Sequence, residues 1–335
     1  MRLSAMGDVA MTVPVLRAFA RQYPNIKITV VSRPLFAPFF KDISNISFFA
    51  FDTNGKHNGF LGLLQLYRDL NKLGIDAFAD MHNVLRSKVV RKLFSFAGKP
   101  TAAVDKGREG KKALTRAENK IFKQQPTMFE RHAAVFAALG FPVELNNPVF
   151  SPIKPLDEKT LKITGPKDNQ WIGIAPFAQY DSKIYPSDLM QKVIDQLTEN
   201  GYKIFLFGGG KKEIELLEKF KGSKEQVFVV AGKFNFEEEL QLIGNLDLML
   251  SMDSGNAHIA AMLGVSTITL WGATHPYTGF SPFNQPLENA LVSDRLKFPK
   301  LPTSVYGNKN IAGYENAMRT ILPEAIIAKI QSVLK

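Results

Sequence analysis

The chain alternates short apolar runs with amphipathic stretches, and it does so twice. In the first half, apolar runs predict strands at 26–31, 46–51, 77–81 and 102–104, and amphipathic patterns predict helices at 9–22, 61–73 and 84–96. In the second half, strands are predicted at 172–175, 204–207, 227–230, 246–251 and 267–270, with helices at 186–199, 211–220, 237–243 and 257–263. Such alternation is typical of parallel sheets covered by helices on both faces. We therefore predict an α/β protein with two Rossmann-like, doubly wound parallel-sheet domains facing a central cleft.

A proline-rich stretch separates the two series. Its prolines follow no helical or strand period between residues 141 and 169, which is typical of a linker. The chain of 335 residues is long enough for two domains of about 150 residues each. We predict an N-terminal domain at 1–150, a linker at 151–169, a C-terminal domain at 170–320 and a final helix at 321–335 that packs back on the N-terminal domain.

The composition limits the partners and the compartment. The net charge of +11 indicates an anionic partner. Between residues 86 and 123, twelve Lys and Arg residues face three acidic ones, which fits either a solvated basic face or an electrostatic landing surface. The chain has no cysteine, so disulfides and thiolate metal sites are excluded.

The N-terminal sequence does not resemble a signal peptide. It carries an acid early and lacks a long apolar core, and no later run approaches the ~20 apolar residues of a membrane-spanning helix. We therefore expect a soluble, cytoplasmic protein. Residues 1–4 leave little room for a first strand, so either that strand is unusually short or the natural chain begins upstream of Met1.

Asp8 lies at a strand–turn–helix junction, directly after Gly7. Two interpretations fit it. The carboxylate can cap the helix by accepting its free N–H groups, or it can face solvent at the carboxyl end of the strand and act as a general base on a hydroxyl group.

A second junction bunches polar residues where a doubly wound sheet binds its ligands. These residues are Asp253, Ser254, Gly255, Asn256 and His258. Small residues here let backbone N–H groups approach an anion at the positive end of the helix, which predicts a diphosphate site. The alternative is an ordinary turn in which Ser254 caps the helix and His258 lies on its inner face.

Two further positions follow strands of the second half. Lys183 lies in a loop where it could neutralise a phosphate, although a loop lysine is often only solvated. Gly208 opens a triple-glycine turn that matches neither phosphate-loop pattern, so we interpret it as a tight turn lining the nucleotide. The histidines show no metal-ligand spacing, and we predict no metal.

Taken in order, several segments resemble glycosyltransferase family nine, which contains the ADP-heptose:lipopolysaccharide heptosyltransferases. They are 2–9 with Pro14, 80–87, Glu130–Arg131 with Leu139–Gly140, 183–186, and 253–258 followed by 271–274. In this chain Tyr185 stands where the family element has Trp, and Gln179 lies where some members carry hydroxyl residues. The similarity is collinear and covers nearly the whole chain.

The resemblance implies a GT-B architecture and an inverting, metal-independent transfer of a sugar, heptose in this family, from an ADP-sugar to a lipopolysaccharide core acceptor, without a cofactor. It implies Asp8 as the catalytic base. It implies nucleotide and diphosphate contacts from Lys183, Gln179, Gly208, Phe234, Asp253, Ser254, Gly255, Asn256 and His258. It implies acceptor contacts from His82, Arg86 and Arg131. The basic region of the N-terminal, acceptor-binding domain would meet an anionic glycolipid at the inner membrane surface.

Two other functions remain open from the sequence. The same fold carries other nucleotide-sugar enzymes, such as epimerases. The basic stretch could instead mark an anion- or nucleic-acid-binding protein, although no aromatic-interleaved basic platform accompanies it.

Overall fold

The computed structural model describes residues 1–309 and 311–335, which divide into two compact units. Unit 1 comprises Met1–Lys106 and Pro126–Phe150, and unit 2 comprises Gly107–Gln125 and Ser151–Lys335. This division differs from the predicted one, because residues 107–125 belong with the second half of the chain.

The first half of the chain alternates helices and strands as the sequence predicts. In chain order the elements are α1 (Met6–Ala10), α2 (Val13–Gln22), β1 (Ile28–Ser32), a 3-10 segment (Pro34–Phe40), β2 (Ile46–Ala50), α3 (Gly59–Asn71), β3 (Phe78–Asp80), α4 (Leu85–Phe96), β4 (Thr101–Ala103), α5 (Arg108–Thr115) and α6 (Met128–Ala137). Of these, α5 lies in unit 2.

The strands of unit 1 pair in parallel, β1 with β2 and β3 with β4. The first residues of the chain run between the two pairs. The Arg2 N–H donates to the Val31 carbonyl at 3.1 Å, and the Met1 carbonyl accepts from the Met81 N–H at 3.2 Å. The segment thus takes the position predicted for the first strand, and the turn that follows it lies beside the carboxyl end of β3.

The predicted helix at 9–22 is interrupted. Its first part is α1 and its second is α2, with Pro14 near the start of α2. Proline has no N–H, so it could not donate to the carbonyl of Ala10 in a continuous helix. The break separates the short helix that carries Asp8 from the longer amphipathic helix that packs on α6.

The second half of the chain continues the alternation. Its elements are α7 (Glu158–Thr164), β5 (Trp171–Ala175), α8 (Ser187–Glu199), β6 (Lys203–Leu206), α9 (Lys211–Lys221), β7 (Val227–Val229), α10 (Phe236–Gly244), β8 (Leu248–Met252), α11 (Gly255–Met262), β9 (Ser266–Trp271), β10 (Ala290–Val292) and α12 (Pro323–Leu334).

One parallel, six-stranded sheet forms the centre of unit 2, in the order β7-β6-β5-β8-β9-β10. The residues of β5 and β8 are buried throughout, which explains why they read as apolar runs rather than alternating patterns. The strand order reverses between β5 and β8. In a doubly wound sheet, ligands bind outside the carboxyl ends of the strands at this reversal.

Two segments differ from their predicted roles. The predicted linker at 151–169 contains α7, whose first turn is capped by Asp157 accepting from the Thr160 N–H at 2.7 Å. The final helix, α12, buries Ile326, Ile327 and Ile330 in the core of unit 2, where it packs on α8. The predicted packing of the final helix on the N-terminal domain is therefore wrong.

The α/β class with parallel sheets is confirmed. Within residues 1–309 and 311–335, none of the helices combines the length and the apolar character needed to cross a bilayer.

Candidate active site

Lys183 and Asp253 meet at the reversal of the unit 2 sheet. Lys183 lies in the loop after β5, and Asp253 directly follows β8. The Lys183 Nζ lies 2.9 Å from Asp253 Oδ2, and the side chains are 12% and 9% exposed. The Thr274 hydroxyl donates to the same carboxylate oxygen at 2.8 Å. Two residues that the sequence singled out from separate motifs are therefore brought together as a largely buried ion pair.

The first turn of α11 begins beside this pair, at Gly255. The Ser254 hydroxyl is hydrogen-bonded to the Ser251 hydroxyl at 3.1 Å and does not cap the helix. Ser254 thus occupies the N-cap position of the alternative interpretation, but its side chain makes no capping hydrogen bond. Because the first N–H groups of a helix have no partner within it, the uncapped positive end of α11 and the Lys183 ammonium together can bind an anion.

The remaining predicted donor residues lie along the same edge of the sheet or on α11. Asn256 is half-buried and His258 is buried on α11, Gln179 is exposed after β5, and Phe234 is half-buried just before α10. A Cβ added to Gly208 would lie 3.0 Å from the Phe177 ring and 3.1 Å from Glu213 Oε2. The tight turn predicted at Gly208 is thus one that a side chain would crowd.

Asp8 is held by an arginine that the sequence analysis missed. The Arg2 Nη2 lies 2.6 Å from Asp8 Oδ2, which also accepts from the Ala5 N–H at 3.2 Å. Arg2 is itself buried, and it donates to the carbonyls of Ser4 at 2.9 Å and Met81 at 2.8 Å. Among the described residues, the ion pair and the hydrogen bond of Asp8 both use Oδ2, so Oδ1 is the oxygen suited to take a proton.

His82 lies near this pair and is uncharged at neutral pH. Burial, the nearby Arg2 and then Lys106 lower the pKa of its imidazole to about 4. Within the described part of the chain, its Nδ1 has no hydrogen-bond partner. A buried, neutral ring atom of this kind can accept from or donate to a substrate hydroxyl.

The two arginines predicted to bind an acceptor have different surroundings. Arg86 is exposed in the first turn of α4. Arg131 is buried and bonds Asp105 Oδ2 at 2.7 Å, together with the carbonyls of Asp105 and Pro126. Arg131 therefore fastens α6 to the segment after β4, whereas Arg86 is open to solvent.

The basic stretch at 86–123 is divided between the two units. Its later part lies on unit 2, where the Lys120 ammonium donates to the carbonyls of Leu114 at 2.9 Å and Pro302 at 2.7 Å. Burial and then Arg295 lower the pKa of Lys120 to about 8. In unit 1, the Nε of Arg91 lies 3.5 Å from the buried carboxylate of Asp80. Part of the charge surplus thus serves internal contacts.

No group of three or more His, Cys, Asp and Glu side chains suited to a metal ion occurs among the described residues.

The fold is an α/β fold, and a largely buried Lys183–Asp253 ion pair lies at the reversal of its doubly wound sheet, beside the start of α11. Residues 63–310 match glycosyltransferase family 9 (heptosyltransferase). The match covers well over half of the chain, and the protein belongs to this family. It is therefore a glycosyltransferase. Because the matched residues begin at position 63, the family match does not include Asp8.

Similar proteins extend the comparison. The chain is 29% identical to lipooligosaccharide heptosyltransferase 2 of Haemophilus influenzae over 63% of its own length and 64% of that protein. It is 25% identical to the lipopolysaccharide core heptosyltransferase OpsX of the same species, over 99% and 95% of the two chains. The structure of Escherichia coli ADP-heptose lps heptosyltransferase II superposes with a TM-score of 0.68 at 20% identity, covering 100% of this chain and 98% of that one. This last likeness shows the shared fold.

Proposed function

We propose that the protein transfers heptose from ADP-heptose to a lipopolysaccharide core acceptor, with inversion and without a metal. The observation that carries the proposal is the Lys183–Asp253 pair beside the uncapped start of α11. Membership of family 9 and the names of the similar proteins support the sugar, the nucleotide and the acceptor class.

The proposed reaction is a single displacement. An acceptor hydroxyl oxygen attacks the anomeric carbon of the donor, and the bond from that carbon to the diphosphate oxygen breaks. The electron pair leaves with ADP, and Asp8 Oδ1 takes the hydroxyl proton. One displacement inverts the anomeric centre.

Charge stabilisation is the task of unit 2 in this proposal. The ammonium of Lys183 and the N–H groups at Gly255 and Asn256 face the charge that develops on the leaving diphosphate. Asp253 and Thr274 hold Lys183 in place. Gln179, Gly208 and Phe234 line the nucleotide, and His258 supports α11 from its buried side.

The acceptor side of the proposal belongs to unit 1. Arg2 holds Asp8 through Oδ2, and the neutral ring of His82 and the exposed guanidinium of Arg86 bind polar and anionic groups of the acceptor. Arg131 acts indirectly, by fixing α6 through Asp105.

A thermal-shift screen tests the donor assignment. We expect ADP to raise the melting temperature and UDP and GDP to leave it unchanged at equal concentration. A ligand that binds only the folded state at 100 times its dissociation constant adds about 2.7 kcal/mol to the free energy of unfolding. Equal shifts from all three nucleotides would contradict the assignment of an adenine nucleotide. Incubation with the donor alone, followed by product analysis, would show whether the protein is instead an epimerase.

We also propose that unit 1 docks on an anionic membrane that presents the acceptor. Phe60 and Leu85 are 66% and 79% exposed near the starts of α3 and α4. Both helices follow strand ends, on the edge of the sheet where His82 lies. The neighbouring Arg86 and Lys88 are exposed cations, and apolar anchors interleaved with cations suit an anionic lipid surface.

Replacing both Phe60 and Leu85 by serine should weaken binding to vesicles of phosphatidylglycerol and phosphatidylcholine by about 100-fold, because each large side chain contributes about 1.5 kcal/mol when buried, or about tenfold in affinity. Cosedimentation measures the effect. The matched control replaces two other exposed apolar residues, Leu73 just after the far end of α3 and Phe96 at the far end of α4. Equal losses in both double variants would contradict a specific docking edge.

A further inference from the structure

A turn near the end of the chain lies against the side chain of Lys183. In this turn the Ser304 hydroxyl accepts from the N–H groups of Tyr306 at 3.2 Å and Gly307 at 2.9 Å. It also donates to the amide oxygen of Asn308 at 2.9 Å. Ser304 is buried, so this short segment is internally fixed rather than a loose surface loop.

The turn is connected to the loop of Lys183 directly through Ser182 and indirectly through Ala273. The Ser182 hydroxyl donates to the Gly307 carbonyl at 2.6 Å, and the Ser182 carbonyl accepts from the Ala273 N–H at 3.0 Å. The Ala273 carbonyl in turn accepts from the Thr303 N–H at 2.9 Å. These hydrogen bonds join three segments around Lys183: its own loop after β5, the segment after β9, and the turn that begins at Ser304.

Gly307 leaves the space through which the lysine side chain passes. A Cβ at this position would lie 2.5 Å from Lys183 Cδ and 2.7 Å from Lys183 Cγ. Contacts this short force one of the two groups to move. The ammonium at the far end of the same side chain lies 2.9 Å from Asp253, so a displaced stem would carry the charge away from the anion site.

We propose that Gly307 and the turn centred on Ser304 position the Lys183 ammonium for the donor diphosphate. Gly307 is a positioning residue, since it acts through Lys183 rather than on the donor. The inference rests on the proposed role of Lys183, and it adds a segment that the sequence motifs did not include.

The chain supplies a matched control for the test. Gly307 has φ +87° and Gly313 has φ +81°, so alanine is strained at both positions. A Cβ at Gly313 meets nothing within 4 Å. The two alanine variants therefore share the backbone strain, and only Gly307→Ala meets the lysine.

Calorimetric titration with ADP, on variants whose thermal melting shows a folded protein, is the measurement. We expect Gly307→Ala to weaken ADP binding about tenfold, by analogy with the loss of a hydrogen bond to a charged group. Gly313→Ala should stay within about twofold of the wild type by the same reasoning. In a Lys183→Ala background, which removes Cγ and Cδ, Gly307→Ala should add almost nothing.

Three results would overturn the inference: unchanged ADP binding in folded Gly307→Ala, an equal loss in Gly313→Ala, or the same added loss in the Lys183→Ala background. If Gly307→Ala does not fold, Ser182→Ala removes the tie to Gly307 without a clash and should weaken ADP binding, and unchanged binding in that variant would count against the proposal. If Lys183→Ala alone binds ADP as the wild type does, the proposed function fails at Lys183 itself, which is a separate outcome.

Discussion

Replacing Asp8 by asparagine is expected to lower kcat by about 10²- to 10⁴-fold, the usual contribution of a positioned general base. The amide cannot take the acceptor proton. It has the same shape as the carboxylate, and its oxygen can still accept from Arg2 and from the Ala5 N–H. The dissociation constant for ADP should remain within about twofold of the wild type, because all the proposed donor contacts lie in unit 2. Steady-state kinetics and calorimetry measure the two quantities.

A helix-capping carboxylate elsewhere in the chain is the control. Asp157 accepts from the Thr160 N–H at the start of α7, and Asp157→Asn alters a cap without touching either proposed site. If Asp8 only caps α1, the two substitutions should have similarly small effects on kcat. Wild-type turnover by Asp8→Asn would withdraw the assignment of the base.

The second large effect is expected from Lys183→Met, which keeps most of the stem and removes the charge. Hydrogen bonds to charged groups contribute about 1.5–3 kcal/mol, so ADP binding should weaken about 10- to 100-fold. The substitution also leaves the buried Asp253 carboxylate without its cation, although Thr274 still donates to it. We therefore also expect a lower melting temperature, measured beside the calorimetric titration.

Lys203→Met separates the loss of binding from the loss of stability. Lys203 has a side chain that is 12% exposed, as for Lys183, but it lies over the Trp171 ring at 5.5 Å. The substitution Lys203→Met should lower the melting temperature and leave ADP binding unchanged. Equal ADP affinities for Lys183→Met and Lys203→Met would remove Lys183 from the donor site.

The sequence was sufficient for most strands of the fold, because buried parallel strands produce apolar runs. It did not predict α5, α7 or β10. The bounds of β5 and β8, for example, fall within two residues of those predicted. The position of Lys183 beside Asp253 was also predictable in outline, since both follow strands whose ends meet in a doubly wound sheet.

Other features depend on contacts between residues far apart in the chain. The segment 107–125 joins unit 2 through side chains such as Phe122, whose ring lies 3.4 Å from the Arg295 guanidinium. Arg2 was overlooked because an arginine in an apolar run gives no sign of its partner. Gly307 was overlooked because a glycine in a loop shows its purpose only when the neighbouring side chain is known.

Residues 107–125 belong to unit 2 although residues 126–150, which follow them in the chain, belong to unit 1. This order limits how the protein can be cut into fragments. A fragment that starts at residue 151 would lack the part of unit 2 formed by residues 107–125. The Pro302 carbonyl would lose the ammonium that it accepts from, and the Phe280 ring would lose the lysine 4.1 Å above it. A fragment designed to fold as unit 2 alone would therefore have to include residues 107–125 as well as 151–335.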